Sequence, residues 1–243
     1  MKKIFFLPIA LMFVITISKA QITVTANTTS IGRYDVYELT IQHPMSYSNN
    51  WEDVTVSTVF SGPGTINIDG FFYNTNEWRV RFAPPQTGSW TYAITFTTPS
   101  NTYPANGTFT CVTSTTKGFL QQHPSNPFRL IYPDGTLFNG IGIGDCIRDI
   151  PANGTPHDNW GFDGDTRPPS PPQGEQTTLG AYMYAYGSNG ARFNIFRWSI
   201  NNCAFNLYNT ITTTGNTYLV QQGMWGDSLV QSLRQNNIRL WTT

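Results

Sequence analysis

Two apolar strand-like segments in the second half of the chain end in side chains that can do polar chemistry. Gly140-Ile141-Gly142-Ile143-Gly144 runs into Asp145, and Phe193-Asn194-Ile195-Phe196 runs into Arg197, with Trp198, Asn201 and Asn202 just beyond. A carboxylate, a guanidinium, two amides and an indole suit a hydroxyl-rich ligand, because the polar groups trade hydrogen bonds and the indole offers an apolar face. Two readings of Asp145 stand. It accepts hydrogen bonds from ligand hydroxyls at the mouth of a pocket, or it fixes its own loop by accepting from backbone N–H groups. Arg197, on a buried strand, needs acceptors. It either orients a carboxylate in the pocket or forms a structural ion pair, with Asp145 as a candidate partner. Trp198, Asn201 and Asn202 either touch ligand or pack their loop. Trp160, on a long loop after Asp145, either stacks on a ring face of the ligand or pins that loop.

Other chemistries lack their residues. Asp158, Asp163 and Asp165 lack the Asp-x-Asp-x-Asp-Gly spacing and distal Glu of a calcium loop. The histidines (His43, His123, His157) form no ligand pair, so neither a metal nor any other cofactor is expected. The three cysteines are Cys111, Cys146 and Cys203. Cys111 lies in a strand-like stretch and is expected to pack as a small apolar residue. Cys146 and Cys203 each come after a strand, which leaves a disulfide between them open.

The elements that must position these groups come after a leader. Lys2 and Lys3, an apolar run from Ile4 to Ile17, and Ser18-Lys19-Ala20 read as a cleaved signal peptide, with the mature chain starting near Gln21. The expected location is therefore secreted or periplasmic, and the apolar run is too short to span a bilayer. Three of the 14 basic residues lie in the leader and no acidic one does, which leaves an acidic excess of three. Nucleic acid is excluded as a partner on that charge, and no membrane contact is expected after cleavage. Charged residues make up only 12% of the chain and aromatics 14%, a surface suited to carbohydrate.

Residues 22–113 alternate with a period of two: Tyr37, Leu39 and Ile41; Val54, Val56 and Phe60; Trp78, Val80 and Phe82; Trp90, Tyr92, Ile94 and Phe96. Turns are expected at Ser61-Gly62-Pro63-Gly64, Ala83-Pro84-Pro85-Gln86-Thr87-Gly88 and Asn106-Gly107. About seven short strands without a helix predict an immunoglobulin-like β-sandwich over 21–116. Trp78 and Trp90 fall at inward phase. Phe71, Phe72 and Tyr73 cannot all face inward, so at least one meets a neighbouring domain or a glycan. A linker hairpin is expected over 117–139, turning at Asp134-Gly135. From residue 140 the pattern becomes strand, helix, strand, helix, strand, which predicts parallel strands. The first helix is expected to start at Thr177 and the second at Asp227, each as its N-cap. A closed (β/α)8 barrel takes about 250 residues, roughly twice the length of chain after Thr116, so the predicted class is a sandwich followed by the truncated first part of a TIM barrel over 140–243. A complete small three-layer domain is the alternative.

With those segments placed, the chain resembles a known arrangement in secreted bacterial enzymes, in which a sandwich domain of unknown function precedes a TIM-barrel glycoside hydrolase. The resemblance rests on Gly70-Phe71-Phe72-Tyr73-Asn74, Trp78-Arg79-Val80-Arg81-Phe82-Ala83-Pro84 and Gly88-Ser89-Trp90-Thr91-Tyr92 in the sandwich. It continues through Asn126-Pro127-Phe128-Arg129, Tyr132-Pro133-Asp134-Gly135-Thr136-Leu137-Phe138, Gly144-Asp145 and Phe193-Asn194-Ile195-Phe196-Arg197. Relatives often carry Thr-Ala-Trp after the first-strand Asp, where this chain has Cys146-Ile147-Arg148. The resemblance implies hydrolysis of a polysaccharide or oligosaccharide by two carboxyl groups after the fourth and seventh strands. Both are then expected beyond residue 243, and no catalytic residue is expected in this chain. The competing expectations are a non-catalytic exported carbohydrate-binding or surface protein, and a structural sandwich joined to an unrelated α/β domain.

Overall fold

A computed structural model of the chain describes residues 21–144, 147–149, 160–162, 192–198, 207 and 217–242. Nine strands build the sandwich: β1 (Thr23–Ala26), β2 (Ser30–Gly32), β3 (Tyr37–Gln42), β4 (Thr55–Ser61), β5 (Thr65–Asp69), β6 (Phe71–Asn74), β7 (Glu77–Phe82), β8 (Gly88–Thr97) and β9 (Thr102–Val112). They form a four-stranded sheet in the order β1-β3-β7-β6 and a five-stranded sheet in the order β2-β9-β8-β4-β5. Period-two alternation drives this, since one face of each sheet must leave water. Tyr37, Leu39 and Ile41 on β3 and Trp78, Val80 and Phe82 on β7 meet Val56 and Phe60 on β4, Trp90, Ile94 and Phe96 on β8, and Phe109 and Cys111 on β9. Burying each large side chain contributes roughly 1.5–3 kcal/mol relative to exposure. Both buried indoles keep a hydrogen bond, Trp78 Nε1–H to the Asn50 carbonyl at 3.1 Å and Trp90 Nε1–H to the Gln86 carbonyl at 3.0 Å. Cys111 is a free thiol packed in this core, and burial raises its pKa.

One expected turn is a strand. Asn106-Gly107 lies inside β9, where Gly107 pairs with Tyr92 of β8. A methyl group on residue 107 would overlap the Tyr92 phenol, so this glycine makes room for a cross-strand ring rather than a bend. The other two turns join β4 to β5 and β7 to β8.

The linker forms a three-stranded antiparallel sheet of β10 (Gln121–His123), β11 (Asn126–Ile131) and β12 (Leu137–Phe138). Its Asp-Gly turn is tied by Asp134 Oδ1, which accepts from Thr136 N–H at 2.9 Å and Thr136 Oγ1–H at 2.6 Å. These bonds hold the Asp134 carboxyl below its ordinary pKa.

Beyond it, β13 (Gly142–Gly144), β16 (Ile195–Trp198) and β17 (Arg239–Thr242) form a parallel sheet in that order. An antiparallel pair, β14 (Ile147–Asp149) and β15 (Trp160–Phe162), lies between β13 and β16 in sequence. Helix α1 (Val220–Gln235) connects β16 to β17. It starts two turns earlier than Asp227, and Asp227 is not its cap. The carboxylate there answers an arginine of the sandwich, a tertiary demand that local capping rules do not contain. The helix ends in a Schellman turn. Asn237 takes φ 57°, Asn237 N–H reaches the Arg234 carbonyl at 3.1 Å, and Ile238 N–H reaches the Leu233 carbonyl at 2.9 Å. Buried Ile238 and Leu233 complete the motif. The expected helix at Thr177 and the expected Cys146–Cys203 neighbourhood lie outside the described residues. No helix among the described residues is long and apolar enough to cross a membrane.

Candidate functional site

The parallel sheet decides which side chains can share a site. Gly142, Ile195 and Arg239 are in register, as are Gly144, Arg197 and Trp241. Residues in register point the same way, so Ile195, Arg197, Arg239 and Trp241 occupy one face and Phe196, Trp198 and Leu240 the other. Phe196 and Trp198 are buried, and the Trp198 indole lies on the side of Gly226 of α1. Arg197 and Trp241 are exposed. The close approach of β13 to β16 requires a glycine, because a methyl group at residue 142 would run into the Ile195 carbonyl.

The exposed face forms the floor of a cleft of about 810 Å³ whose wall is the linker hairpin. Phe128 and Arg129 from β11, Asn139 from the strand entry, and Arg197 and Trp241 from the sheet line it. Phe128 is 95% exposed and Trp241 57% exposed, so both ring faces are open to a ligand. The hairpin is pinned to the sheet by Asn194. Its Nδ2–H donates to the Asn139 carbonyl and its Oδ1 accepts from Ile141 N–H, both at 2.8 Å. Tyr132 adds a second link, with Lys117 5.0 Å and Arg239 5.2 Å from its ring centroid. Two guanidiniums, amides and open aromatic faces can bind a hydroxyl-rich molecule by hydrogen bonds and stacking. No carboxylate lines this cleft among the described residues.

Of the residues singled out in the sequence, Arg197 reaches the cleft. Trp198 does not share it, since strand alternation turns its indole to the helix side. The backbone of Trp160 lies in β15, paired with Asp149. Asp145, Asn201 and Asn202 lie outside the described residues, and among the described residues no carboxylate pairs with Arg197. No group of three or more His, Cys, Asp or Glu side chains among the described residues could hold a metal ion. Trp241, Phe128 and Arg129 were not among the expected ligand contacts. The signal for Trp241 was its place two residues after Arg239 on a parallel strand, and for the other two their place on a hairpin preceding that sheet.

The contact between sandwich and α1 is a second feature of this region. Arg81 donates through Nη1 and Nη2 to the two carboxylate oxygens of Asp227 at 2.7 and 2.6 Å, and through Nε to Glu38 at 2.6 Å. Glu38 also accepts from Arg79 Nη1 at 3.0 Å, and Arg79 Nε reaches Glu77 at 2.7 Å. Burial opposes the Arg81 charge, but the bonds to Asp227 and Glu38 more than offset it and raise its pKa. Arg79 also stacks on Tyr73, 3.4 Å from the ring centroid. Tyr218, just ahead of α1, closes the edge of the sandwich core against Phe72 and Trp51. The Phe71-Phe72-Tyr73 run thus divides its work. Phe72 faces the core, and Phe71 and Tyr73 lie beside Arg81, which meets the helix.

Residues 30–97 match the family model of a domain of unknown function (DUF5060). No curated protein matches the sequence. Among solved structures the chain is similar to a candidate glycoside hydrolase from Bacteroides vulgatus, 15% identical, with a TM-score of 0.60 over 88% of this chain and 41% of that one. The chain therefore spans about two fifths of that protein's length. Slighter similarities link it to an endo-β-1,4-mannanase from Thermotoga petrophila (10% identity, TM-score 0.30, 41% of this chain and 21% of that one). The Lin-41 filamin domain is comparable (12% identity, TM-score 0.29, 40% of this chain and 97% of that one). At these identities the likeness concerns fold, and the fold it shares with the chain includes the β-sandwich.

Proposed function

We propose that the chain is the N-terminal portion of an exported glycoside hydrolase. In this reading residues 1–20 are a cleaved leader, 21–116 the sandwich, 117–139 a linker hairpin, and 140–243 the first strands of a (β/α)8 barrel. The observation that carries it is the likeness to the Bacteroides vulgatus protein, which covers 88% of the chain and so reaches well past the sandwich. The parallel order of β13, β16 and β17, with α1 as a crossover, supports the barrel part. The cleft face supports a carbohydrate ligand, with Arg197 and Trp241 side by side. Asp145, Asn201, Asn202 and Trp160 remain assigned to substrate contact in this proposal, and the catalytic carboxyl groups to a part of the protein beyond residue 243.

The test uses the complete product of the reading frame. Aryl glycosides and oligosaccharides should be turned over, and Arg197→Met should lower kcat/KM roughly a hundredfold, as expected for lost positioning. Residues 1–243 alone should turn over none. A reading frame without glutamates at the ends of a fourth and a seventh strand would refute the proposal. Oligosaccharide binding without turnover would then favour the second reading, a non-catalytic carbohydrate-binding protein.

A further inference from the structure

We infer that the sandwich serves as the docking bracket for helix α1, through an open arginine fork on its outer face and an aromatic edge beside it. The sandwich satisfies only the Nε side of Arg81, through Glu38; both Nη donors go to Asp227 of the helix. Two parallel N–H···O bonds between a guanidinium and a carboxylate fix direction as well as distance. The sandwich holds that fork ready, since Arg81 is tied to Glu38, Glu38 to Arg79, and Arg79 to Glu77 and the Tyr73 ring. Next to the fork, Tyr218 and Val220 pack against the sandwich core. The helix has no side-chain cap and no acidic residue in its first turn, so its own sequence supplies little to fix where it starts. The bracket supplies that fixing.

Its reach extends to the cleft. The helix ends in the Schellman turn that launches β17, so a helix held by Arg81 holds Arg239 and Trp241 in register with Ile195 and Arg197. Glu38, Phe72, Tyr73, Glu77, Arg79 and Arg81 all fall within the residues matched to the domain of unknown function. Bracing the helix is thus a role for that domain, and it stands apart from the glycosidase reading because its readout is not turnover.

The experiment is amide hydrogen exchange on the whole chain, comparing wild type, Arg81→Met, Asp227→Asn and the double variant. Each single change should raise exchange across 222–242 about tenfold, the loss of a charge-assisted pair, while β4 and β8 stay protected. The double variant should be no worse than either single one, because both remove the same contact. Gln231→Ala, on the exposed side of the helix, should change nothing. As a check that needs no variant to fold, raising salt to about 0.5 M should increase exchange in the wild-type helix. Unchanged exchange in the single variants, additive effects in the double, or equal loss of protection across all sandwich strands would overturn the inference.

Discussion

Phe60 tests the core that everything else is built on. It is fully buried, stacks on Phe82 with ring centroids 4.2 Å apart, and meets Phe109 and Tyr37 edge-on at 6.3 and 6.5 Å. Phe60→Ala removes a whole ring from between the two sheets. Substitutions of this kind cost about 3–5 kcal/mol, and the rigid neighbouring rings leave little room for collapse, which puts the expected loss at the upper end. A sandwich of this size has a total stability of roughly 5–14 kcal/mol. With a urea slope of about 1–2 kcal/mol per molar, the unfolding midpoint should fall by at least about 2 M. The assay is urea unfolding monitored by far-UV circular dichroism, with Phe128→Ala as the counterpart. Phe128 is 95% exposed, so its loss should shift stability by no more than about 0.5 kcal/mol. A midpoint shift for Phe60→Ala as small as that for Phe128→Ala would refute the assignment of this ring to the centre of the core.

Single sites elsewhere yield further expected outcomes. Gly107→Ala should destabilise the sandwich by about 1–3 kcal/mol, since Tyr92 must move off its seat; pairing it with Tyr92→Ala should remove most of that cost in a thermal melt. His43 is buried against Tyr47, Phe96 and Tyr103, and burial lowers its pKa. Its neutral form is favoured in the fold, so its contribution is complete above the unfolded pKa of about 6.5 and is lost as pH falls below it. His43→Gln should flatten the decline in melting temperature between neutral pH and about pH 5. Cys111, buried with its thiol pKa raised, should resist alkylation in the native chain and react once urea unfolds the sandwich.

The sandwich was legible because its signal is local and repeated. Tyr37, Leu39 and Ile41, or Trp78, Val80 and Phe82, name their face by spacing alone, and a proline- and glycine-bearing turn separates β7 from β8. Where local chemistry met a distant partner, local rules misled. Asp227 has the residue type of a cap, yet its partner is Arg81, 146 positions away. Asn106-Gly107 has the composition of a turn, yet the glycine is there for Tyr92 on the neighbouring strand. At the cleft, Arg197 was readable as the polar group ending a buried strand. Its neighbour Trp198 was grouped with it by adjacency, although strand alternation separates consecutive side chains. Trp241 escaped notice because its relation to Arg197 exists only in the register of β16 against β17.

The Asn194 pin has an evolutionary consequence. It fastens backbone groups 53 and 55 residues upstream, so the starts of β13 and β16 are held together independently of the segment that connects the two strands. The entropy of closing such a connection grows only with the logarithm of its length, and doubling it costs about 0.6 kcal/mol. Descendants of this sequence can therefore lengthen, shorten or rewrite the segment between those strands at little expense to the sheet beneath. Variation among related chains should concentrate there, while Asn194 and the glycine at 142 stay fixed.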